Sequence, residues 1–223
     1  MKVIINSAMT VDGKIATSSG DSKISSREDL VRVHKLRASV DAIVVGISTI
    51  LADNPRLTVR LVKGKNPARV IVDSRGRIPL DSQIMHSASM VKTIVAVTDK
   101  APEEKLMKLR SMGAEVMVIS EGKKGRSAAV PHGVNLKLLF HKLEKMGLKK
   151  ILVEGGGELN WSLLHLWLVD ELTITIAPKI VGGRLATTLV EGDGFDEMAQ
   201  SIRLQLKKIE RKKGGELVLH YKL

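Results

Sequence analysis

The chain has 223 residues, of which 43% are hydrophobic, and its formal net charge is +12. That length can bury a substantial core, either as one large domain or as two small ones. The chain has no cysteine, which excludes disulfides, thiolate metal sites and thiol catalysis, and it has no run of about 18 apolar residues that could span a membrane. We therefore expect a cytoplasmic protein without a membrane partner.

The positive charge makes a polyanion the first kind of partner to consider. A basic protein can bind nucleic acid, an anionic membrane surface or a phosphorylated small molecule, or it can simply carry a solvated, lysine-rich surface. The chain has only five aromatic residues, whereas proteins that bind single strands stack bases on aromatic side chains. Its lysines are also scattered along amphipathic segments. These features disfavour nucleic acid and leave the phosphorylated small molecule and the solvated surface.

The first sixty residues predict alternating strands and helices. The elements are strands over residues 2–9 and 41–46, a helix over 26–38 and a helical turn over 48–51. Ser25 or Ser26 can cap the helix, and Ser26 with Asp29 has the spacing of a capping box. The second strand, DAIVVG, is nearly all apolar, as in a strand buried on both faces. Asn54-Pro55 is expected to end the helical turn.

The rest of the chain continues the alternation and then changes character. The predicted strands are 69–73, 93–98, 115–120, 150–154 and 171–177, and the predicted helices are 103–112, 135–146 and 159–168. Residues 121–133, rich in glycine and lysine, are typical of a loop. Residues 202–208 and 216–222 both alternate in polarity, and Gly214-Gly215 between them indicates a hairpin.

These elements predict an α/β fold. Its sheet should be mixed but mostly parallel, with helices on both faces and an antiparallel hairpin from the C-terminal residues at one edge. No segment is long and polar enough to divide the chain, so we expect one domain over residues 1–223.

The stretch VEGGGELNW, residues 153–161, places a glycine turn between a strand and a helix. The start of a helix attracts anions, because its first N–H groups are unpaired, and glycine allows a phosphate to approach the backbone. A Rossmann fingerprint would require glycine where Asn160 stands, so a phosphate-binding turn of another kind and a structural corner remain. Glu154 is either a salt-bridged strand end or a substrate anchor at the carboxyl edge of the sheet.

A second candidate segment, GISTILADNPRLTVR, covers residues 46–60. It also follows a buried strand, so it should open at the same edge of the sheet. Arg60 could clamp a phosphate through two hydrogen bonds or be a surface arginine. Asp53 and Asn54 before Pro55 could simply form a turn stabilised by their side chains.

Five segments together carry a family resemblance. They are MTVDGKIAT (9–17), residues 21–60, RVIVDSRGRIPL (69–80), VEGGGELNW (153–161) and DELTITIAPKIVGG (170–183). In this order and spacing, the chain resembles the riboflavin-biosynthesis reductase family, and most of all its stand-alone archaeal and fungal type. It is also similar to the reductase domain of the bifunctional bacterial deaminase–reductase. A deaminase half is absent, because the chain lacks the cysteines of that zinc site.

The resemblance implies a dihydrofolate-reductase-like three-layer fold, a homodimer, and NADPH as hydride donor, with NADH left open. The implied reaction reduces the ribosylamino side chain of a 2,5-diamino-pyrimidinone 5′-phosphate to the ribitylamino form. Alternatives within enzymes are reduction of the deaminated pyrimidine phosphate and a dihydrofolate-reductase-like pteridine reductase. From other classes we consider a basic nucleic-acid-binding module and a metal loop at residues 191–195. That segment has too few ligands for a calcium loop, so we expect an acidic turn and no metal site.

The resemblance also assigns residues, position by position. The implied cofactor contacts are Ala8, Ile24, Thr49, Asp53, Ser74, Gly156, Gly157, Glu158, Leu159, Asn160 and Ser162. The implied substrate contacts are Ser22, Arg37, Leu57, Arg60 and Glu154. Apart from the resemblance, Arg75 and Arg77 are chemically suited to a 2′-phosphate. Asp53 or Glu154 could assist the proton transfer that accompanies hydride addition, whereas we expect structural roles for His34 and His220.

Overall fold

The computed structural model describes residues 1–119 and 133–223. The strands are β1 Lys2–Thr10, β2 Ala42–Gly46, β3 Ala68–Val72, β4 Thr93–Val97, β5 Glu115–Val118, β6 Lys150–Val153, β7 Glu171–Ala177, β8 Gln205–Arg211 and β9 Leu217–Lys222. The helices are α1 Arg27–Arg37, α2 Ile47–Asp53, α3 Glu103–Ser111, α4 Leu136–Lys145 and α5 Gly157–His165. The loop predicted over residues 121–133 lies, except for Gly133, outside the described residues.

The strands in these two ranges form one mixed sheet in the order β5-β4-β3-β2-β6-β1-β7-β9-β8. From β5 to β7 every neighbouring pair is parallel, whereas β9 runs antiparallel to both β7 and β8. The α/β prediction, with a mostly parallel sheet and a C-terminal antiparallel hairpin, is therefore confirmed. The carboxyl ends of β1, β2 and β6 meet at one edge in the middle of the sheet, which is where parallel sheets bind ligands.

Helices cover both faces of the sheet, as predicted. Alternate strand residues point to opposite faces, so that Ile5 belongs to one hydrophobic cluster and Ile4 to the other. The first cluster packs under α4 and α5 and the second under α2, α3 and Leu36 of α1. The result is a three-layer arrangement with its core split between the two faces.

Several element boundaries differ from the predictions, among them those of α5, α2 and β8. Helix α5 begins at Gly157 instead of at residue 159. It ends at His165 instead of at residue 168, because Trp167 adopts a left-handed φ of 56°. Helix α2 has seven residues instead of one turn, although Asn54, with φ of 41°, ends it as expected. Strand β8 spans 205–211 instead of 202–208, since the turn at Gly215 pairs Arg211 with Leu217 and a bulge interrupts the register near Leu206.

The helix cap at Ser26 is confirmed, but its partner differs from the capping box. The Ser26 side chain accepts a hydrogen bond from the Asp29 backbone N–H, at 3.2 Å. The return bond does not come from Asp29. The Ser26 N–H donates to Oε1 of Glu216, 190 residues away in the terminal hairpin, at 2.7 Å. The Asp29 carboxylate instead accepts hydrogen bonds from the side chains of Ser25 and Arg32.

Candidate active site

A cleft of about 380 Å³ opens at the carboxyl edge of the sheet. Its floor is the end of β1, one wall is α2, and the opposite wall is the turn between β6 and α5. The lining includes nine of the residues assigned from the sequence: Ala8, Ser22, Thr49, Asp53, Glu154, Gly156, Gly157, Glu158 and Leu159. Three chain segments far apart in sequence, residues 6–22, 46–53 and 154–159, thus meet around one space.

The glycine turn leaves the start of α5 open to this cleft. Gly155 has a left-handed φ of 86°, and its carbonyl accepts a hydrogen bond from the Gly46 N–H at 2.9 Å, which ties the turn to the end of β2. The Gly155–Gly156 peptide is cis. Gly156 caps the helix without a side-chain hydrogen bond. The first turn of α5 therefore presents backbone amides and the positive end of its dipole to the cleft.

A fourth segment, residues 187–191, lies across the first residue of α5. A Cβ on Gly157 would sit 2.7 Å from the Thr188 carbonyl and 2.7 Å from Cγ of Glu191, so only glycine fits there. Thr187 and Glu191 also line the cleft. Glu158 lies nearby, and its pKa is raised by burial and by the negative charges of Glu191 and Asp193. The acidic turn predicted at 191–195 thus starts at the wall of the cleft.

Asp53 and Ser22 form a hydrogen-bonded pair on the wall opposite the glycine turn. The Ser22 hydroxyl donates to Oδ1 of Asp53 at 2.9 Å. Burial raises the pKa of Asp53, the Ser22 hydrogen bond opposes that shift, and Asp21 adds to it. Although the residue as a whole is exposed, protein atoms displace part of the water around its carboxyl group. A carboxyl group with a raised pKa in a cleft can serve as a proton donor.

Glu154 forms a two-point ion pair with Arg37 of α1. Nε and Nη2 of Arg37 donate to Oε1 and Oε2 of Glu154 at 2.8 and 2.7 Å. Burial opposes the charge on Arg37, but the charge and hydrogen bonds of Glu154 raise the pKa of the guanidinium overall. Glu154 is therefore a salt-bridged strand end that also lines the cleft, and its role as a substrate anchor stays a prediction.

Arg60 and Leu57 stand on the loop after α2. Leu57 is buried, with a left-handed φ of 50°, and its side chain belongs to the core. Arg60 is exposed, and its Nη1 donates to the Thr58 hydroxyl at 2.8 Å. Burial of part of the group and the nearby charges of Arg37 and Arg56 lower the pKa of Arg60, and Glu154 counteracts them. The three guanidinium groups make this side of the molecule electropositive.

The remaining assigned residues, Arg37, Leu57 and Arg60 included, are not among those that line the cleft. Asn160 and Ser162 are buried on α5, where they donate to the Leu189 and Glu158 carbonyls. Ile24 is buried. Ser74 and Arg77 follow β3, one strand beyond the cleft, and Arg77 lies 3.9 Å from the buried Asp73. Their assignment as cofactor contacts stays a prediction, as does that of Arg75.

Sequence reasoning missed several residues that line the cleft. Asn6 and Ser7 stand on β1, where a polar pair inside the apolar run VIINSAM is a signal that could have been used. The Asn6 Oδ1 accepts a hydrogen bond from Arg32 at 2.9 Å, which orients its amide group. Thr187 and Glu191 gave no comparable signal, because their place in the cleft depends on how a distant loop packs.

His34 and His220 both have structural partners. Nδ1 of His34 accepts a hydrogen bond from the Arg60 N–H at 2.9 Å. His220 on β9 bonds to Thr173 and to Glu210. In the part of the chain that the structure describes, no helix is long and apolar enough to cross a bilayer.

Known proteins resemble the chain over nearly its whole length. The family model "RibD C-terminal domain" matches residues 1–218. The chain is 48% identical to the 2,5-diamino-6-ribosylamino-4(3H)-pyrimidinone 5′-phosphate reductase of Methanothermobacter thermautotrophicus, covering 98% of this chain and 96% of that protein. It is 40% identical to the reductase of the same name from Archaeoglobus fulgidus, covering 94% and 92% of the two chains. Among solved structures, Acinetobacter baumannii RibD superposes with a TM-score of 0.81 at 27% identity, covering 99% of this chain and 57% of that one.

The sheet order and the structural neighbour define the dihydrofolate-reductase-like fold, and the relatives named as reductases make the chain a reductase. The chain belongs to the RibD C-terminal domain family, as the resemblance in five sequence segments implied.

Proposed function

We propose that the protein reduces 2,5-diamino-6-ribosylamino-4(3H)-pyrimidinone 5′-phosphate to its ribitylamino form with NADPH, as a cytoplasmic step of riboflavin biosynthesis. The observation that carries this proposal is the 48% identity to a reductase of that name over 96% of its length. The cleft agrees with it, since an open helix start and the carboxylates of Asp53 and Glu154 face one space. The chain would act as one domain over residues 1–223.

The glycine turn suits the phosphates of a dinucleotide. Gly155, Gly156 and Gly157 place no side chain between the backbone and the cleft, and the first amides of α5 have no side-chain cap. Thr49 adds a hydroxyl group near Gly156. The cofactor supplies hydride, and the chain supplies binding and orientation. Glu158 and Glu191 at the same wall would repel phosphate, which favours the glycine side of the helix start.

The substrate phosphate fits the electropositive side of the molecule. Burial and the repulsion from Arg37 and Arg56 lower the pKa of Arg60, and a phosphate dianion would relieve that repulsion. Arg37 already gives two of its donors to Glu154 and a third, Nη1, to the Thr58 carbonyl at 3.2 Å. We therefore assign the phosphate to Arg60 and give Arg37 the task of orienting Glu154.

Asp53 is the better candidate for the proton donor. Opening of the ribosylamine gives an imine, hydride adds to its carbon, and the nitrogen gains one proton. A carboxyl group whose pKa is raised holds that proton more readily at neutral pH than an ordinary one. Glu154, fixed by Arg37, then offers two oriented acceptors to hydroxyl or amino groups of the substrate.

A homodimer is the proposed assembly. Strand β8 ends the sheet and is exposed along nearly all of its length, with Leu206 46% and Ile209 57% exposed. A long exposed edge strand with apolar side chains invites pairing with another chain, and native proteins usually cover it. A second copy is the simplest cover for it.

Isotope transfer tests the proposed chemistry. The purified protein, given the substrate and NADPH deuterated at the transferable C4 position, should release a ribitylamino product that carries one deuterium on the former anomeric carbon. A product without deuterium, or no product, would refute the proposal. Turnover of the deaminated phosphate or of dihydrofolate instead would select one of the alternatives.

A further inference from the structure

Two side chains from one turn of α1 hold the backbone of the loop that carries Arg60. Nδ1 of His34 accepts hydrogen bonds from the N–H groups of Arg60, at 2.9 Å, and Leu61, at 3.4 Å. Nη1 of Arg37 donates to the Thr58 carbonyl at 3.2 Å. Residues three apart lie on the same face of a helix, so α1 presents an acceptor and a donor side by side to this loop.

The buried His34 ring supports the loop from which the exposed Arg60 guanidinium extends. His34 is 3% exposed, below a loop whose Arg60 side chain reaches solvent. The backbone at Arg60 is fixed by His34, and the far end of its side chain is fixed by the Thr58 hydroxyl at 2.8 Å. Arg60 thus has a defined direction although it lies at the surface.

The hydrogen bonds determine the protonation state of His34. A ring nitrogen accepts a hydrogen bond only when it carries no proton, so Nδ1 must be bare, and a neutral ring carries its proton on Nε2. Three charged groups face the ring: Arg37 on its own helix, Arg60 on the loop and Glu154 at the end of β6. Burial lowers the pKa of His34, Arg37 and Arg60 lower it further, and Glu154 opposes them.

We infer that His34 is a positioning residue for Arg60: its bare Nδ1 holds the loop amides, and thereby the guanidinium, in the place where the substrate phosphate binds. This inference rests on the proposed function, because it takes Arg60 as the phosphate contact. When the ring is protonated, an N–H replaces the acceptor, and two backbone amides lose their partner. Phosphate affinity should then fall under acidic conditions for a reason that lies outside the substrate.

Three variants test the inference in steady-state assays with the phosphorylated substrate. His34→Leu removes the acceptor, and we expect KM to rise about tenfold with kcat changed less than about twofold. His34→Asn places a non-titrating oxygen near the position of Nδ1 and should keep KM within about threefold of the wild type. Arg60→Ala should raise KM by at least as much as His34→Leu.

The pH profile separates positioning from simple packing. The substrate phosphate itself titrates near pH 6, so KM should rise on acidification in every variant. The wild type should show an additional rise as the pH falls below the ordinary histidine pKa of about 6.5, because the pKa of His34 is lowered, and His34→Asn should lack this rise. With the unphosphorylated substrate, the pH profiles of KM for the wild type and for His34→Asn should no longer differ. Because His34→Asn keeps the acceptor, this measurement stands even where His34→Leu does not fold.

Two results would overturn the inference: a wild-type KM for folded His34→Leu, or wild-type and His34→Asn profiles that superpose at all pH values. A separate result bears on the proposed function. If Arg60→Ala leaves KM for the phosphorylated substrate unchanged, Arg60 does not bind phosphate, whatever His34 does. The two failures are therefore distinguishable.

Discussion

Arg37 and Glu154 are joined by two parallel hydrogen bonds of 2.8 and 2.7 Å, and their side chains are only 12% and 10% exposed. The pair links the end of α1 to the end of β6 beside the cleft. A guanidinium that meets both carboxylate oxygens fixes the plane of the carboxylate as well as its position. A residue proposed to contact the substrate is thus oriented before the substrate arrives.

Breaking this pair should impair turnover. Glu154→Gln should lower kcat/KM by about 10- to 100-fold, because the neutral amide cannot accept both hydrogen bonds and the Arg37 guanidinium is left poorly paired. The matched control is Glu103→Gln, which breaks an exposed arginine pair of 2.7 Å on α3 and should change kcat/KM less than about twofold. Equal kinetics for Glu154→Gln and the wild type would remove Glu154 from the active site.

The pH dependence of kcat should report Asp53. Its pKa lies above the usual value, mainly because of burial, and the proton donor is active only when protonated. The rate should therefore be highest at low pH and fall as pH rises through that raised pKa. Asp53→Asn should lower kcat by about 10²-fold or more and abolish this descending limb. A limb that persists in Asp53→Asn would assign the titration to another group.

Gly157→Ala tests the wall formed by α5 and residues 187–191. The added Cβ would stand 2.7 Å from the Thr188 carbonyl and from Glu191, so the segment or the helix start must move. We expect KM for NADPH to rise about tenfold. Gly214→Ala is the control, since that position is open and its backbone has no left-handed φ. Fluorescence titration measures the NADPH affinity of both variants. Equal affinities for Gly157→Ala and Gly214→Ala would show that residues 187–191 move aside without loss of cofactor binding.

The dimer proposal has its own test. Ile209→Lys places a charge in the middle of the exposed β8 edge and should convert the dimer to a monomer. Met107→Lys, on the exposed side of α3, should leave the assembly unchanged. Light scattering after gel filtration, at micromolar concentrations, measures the mass. A wild-type monomer, or a dimer that survives Ile209→Lys, would contradict an interface at β8.

Local patterns were sufficient to predict most of the fold. Ala42–Gly46 and Ala68–Val72 are buried at every position, Arg69 included, and their β-branched residues leave strand as the only consistent interpretation. The glycines at 214 and 215 likewise fix the terminal hairpin. The end of α5 was missed because Trp167, which is 69% exposed, adopts the left-handed conformation that glycine usually takes after a helix, and no glycine marks the position in the sequence.

The site was predictable only in part. Glu154, which follows β6 directly, and the segment with Asp53, which follows β2, could be placed at the carboxyl edge from topology alone. The pairing of Arg37 with Glu154 could not be predicted, because the two residues are 117 positions apart and no local sequence pattern reports the distance between them. The same holds for Glu191, which reaches the cleft through a loop.

Turnover of the candidate substrates tests the proposed reaction most directly. Initial rates of NADPH oxidation should be measured with the 2,5-diamino pyrimidinone phosphate, its deaminated counterpart and dihydrofolate, and repeated with NADH. We predict that kcat/KM is highest for the 2,5-diamino compound with NADPH and at least about tenfold lower for each alternative substrate. A higher value for the deaminated phosphate or for dihydrofolate, or no oxidation with any of the three, would contradict the account.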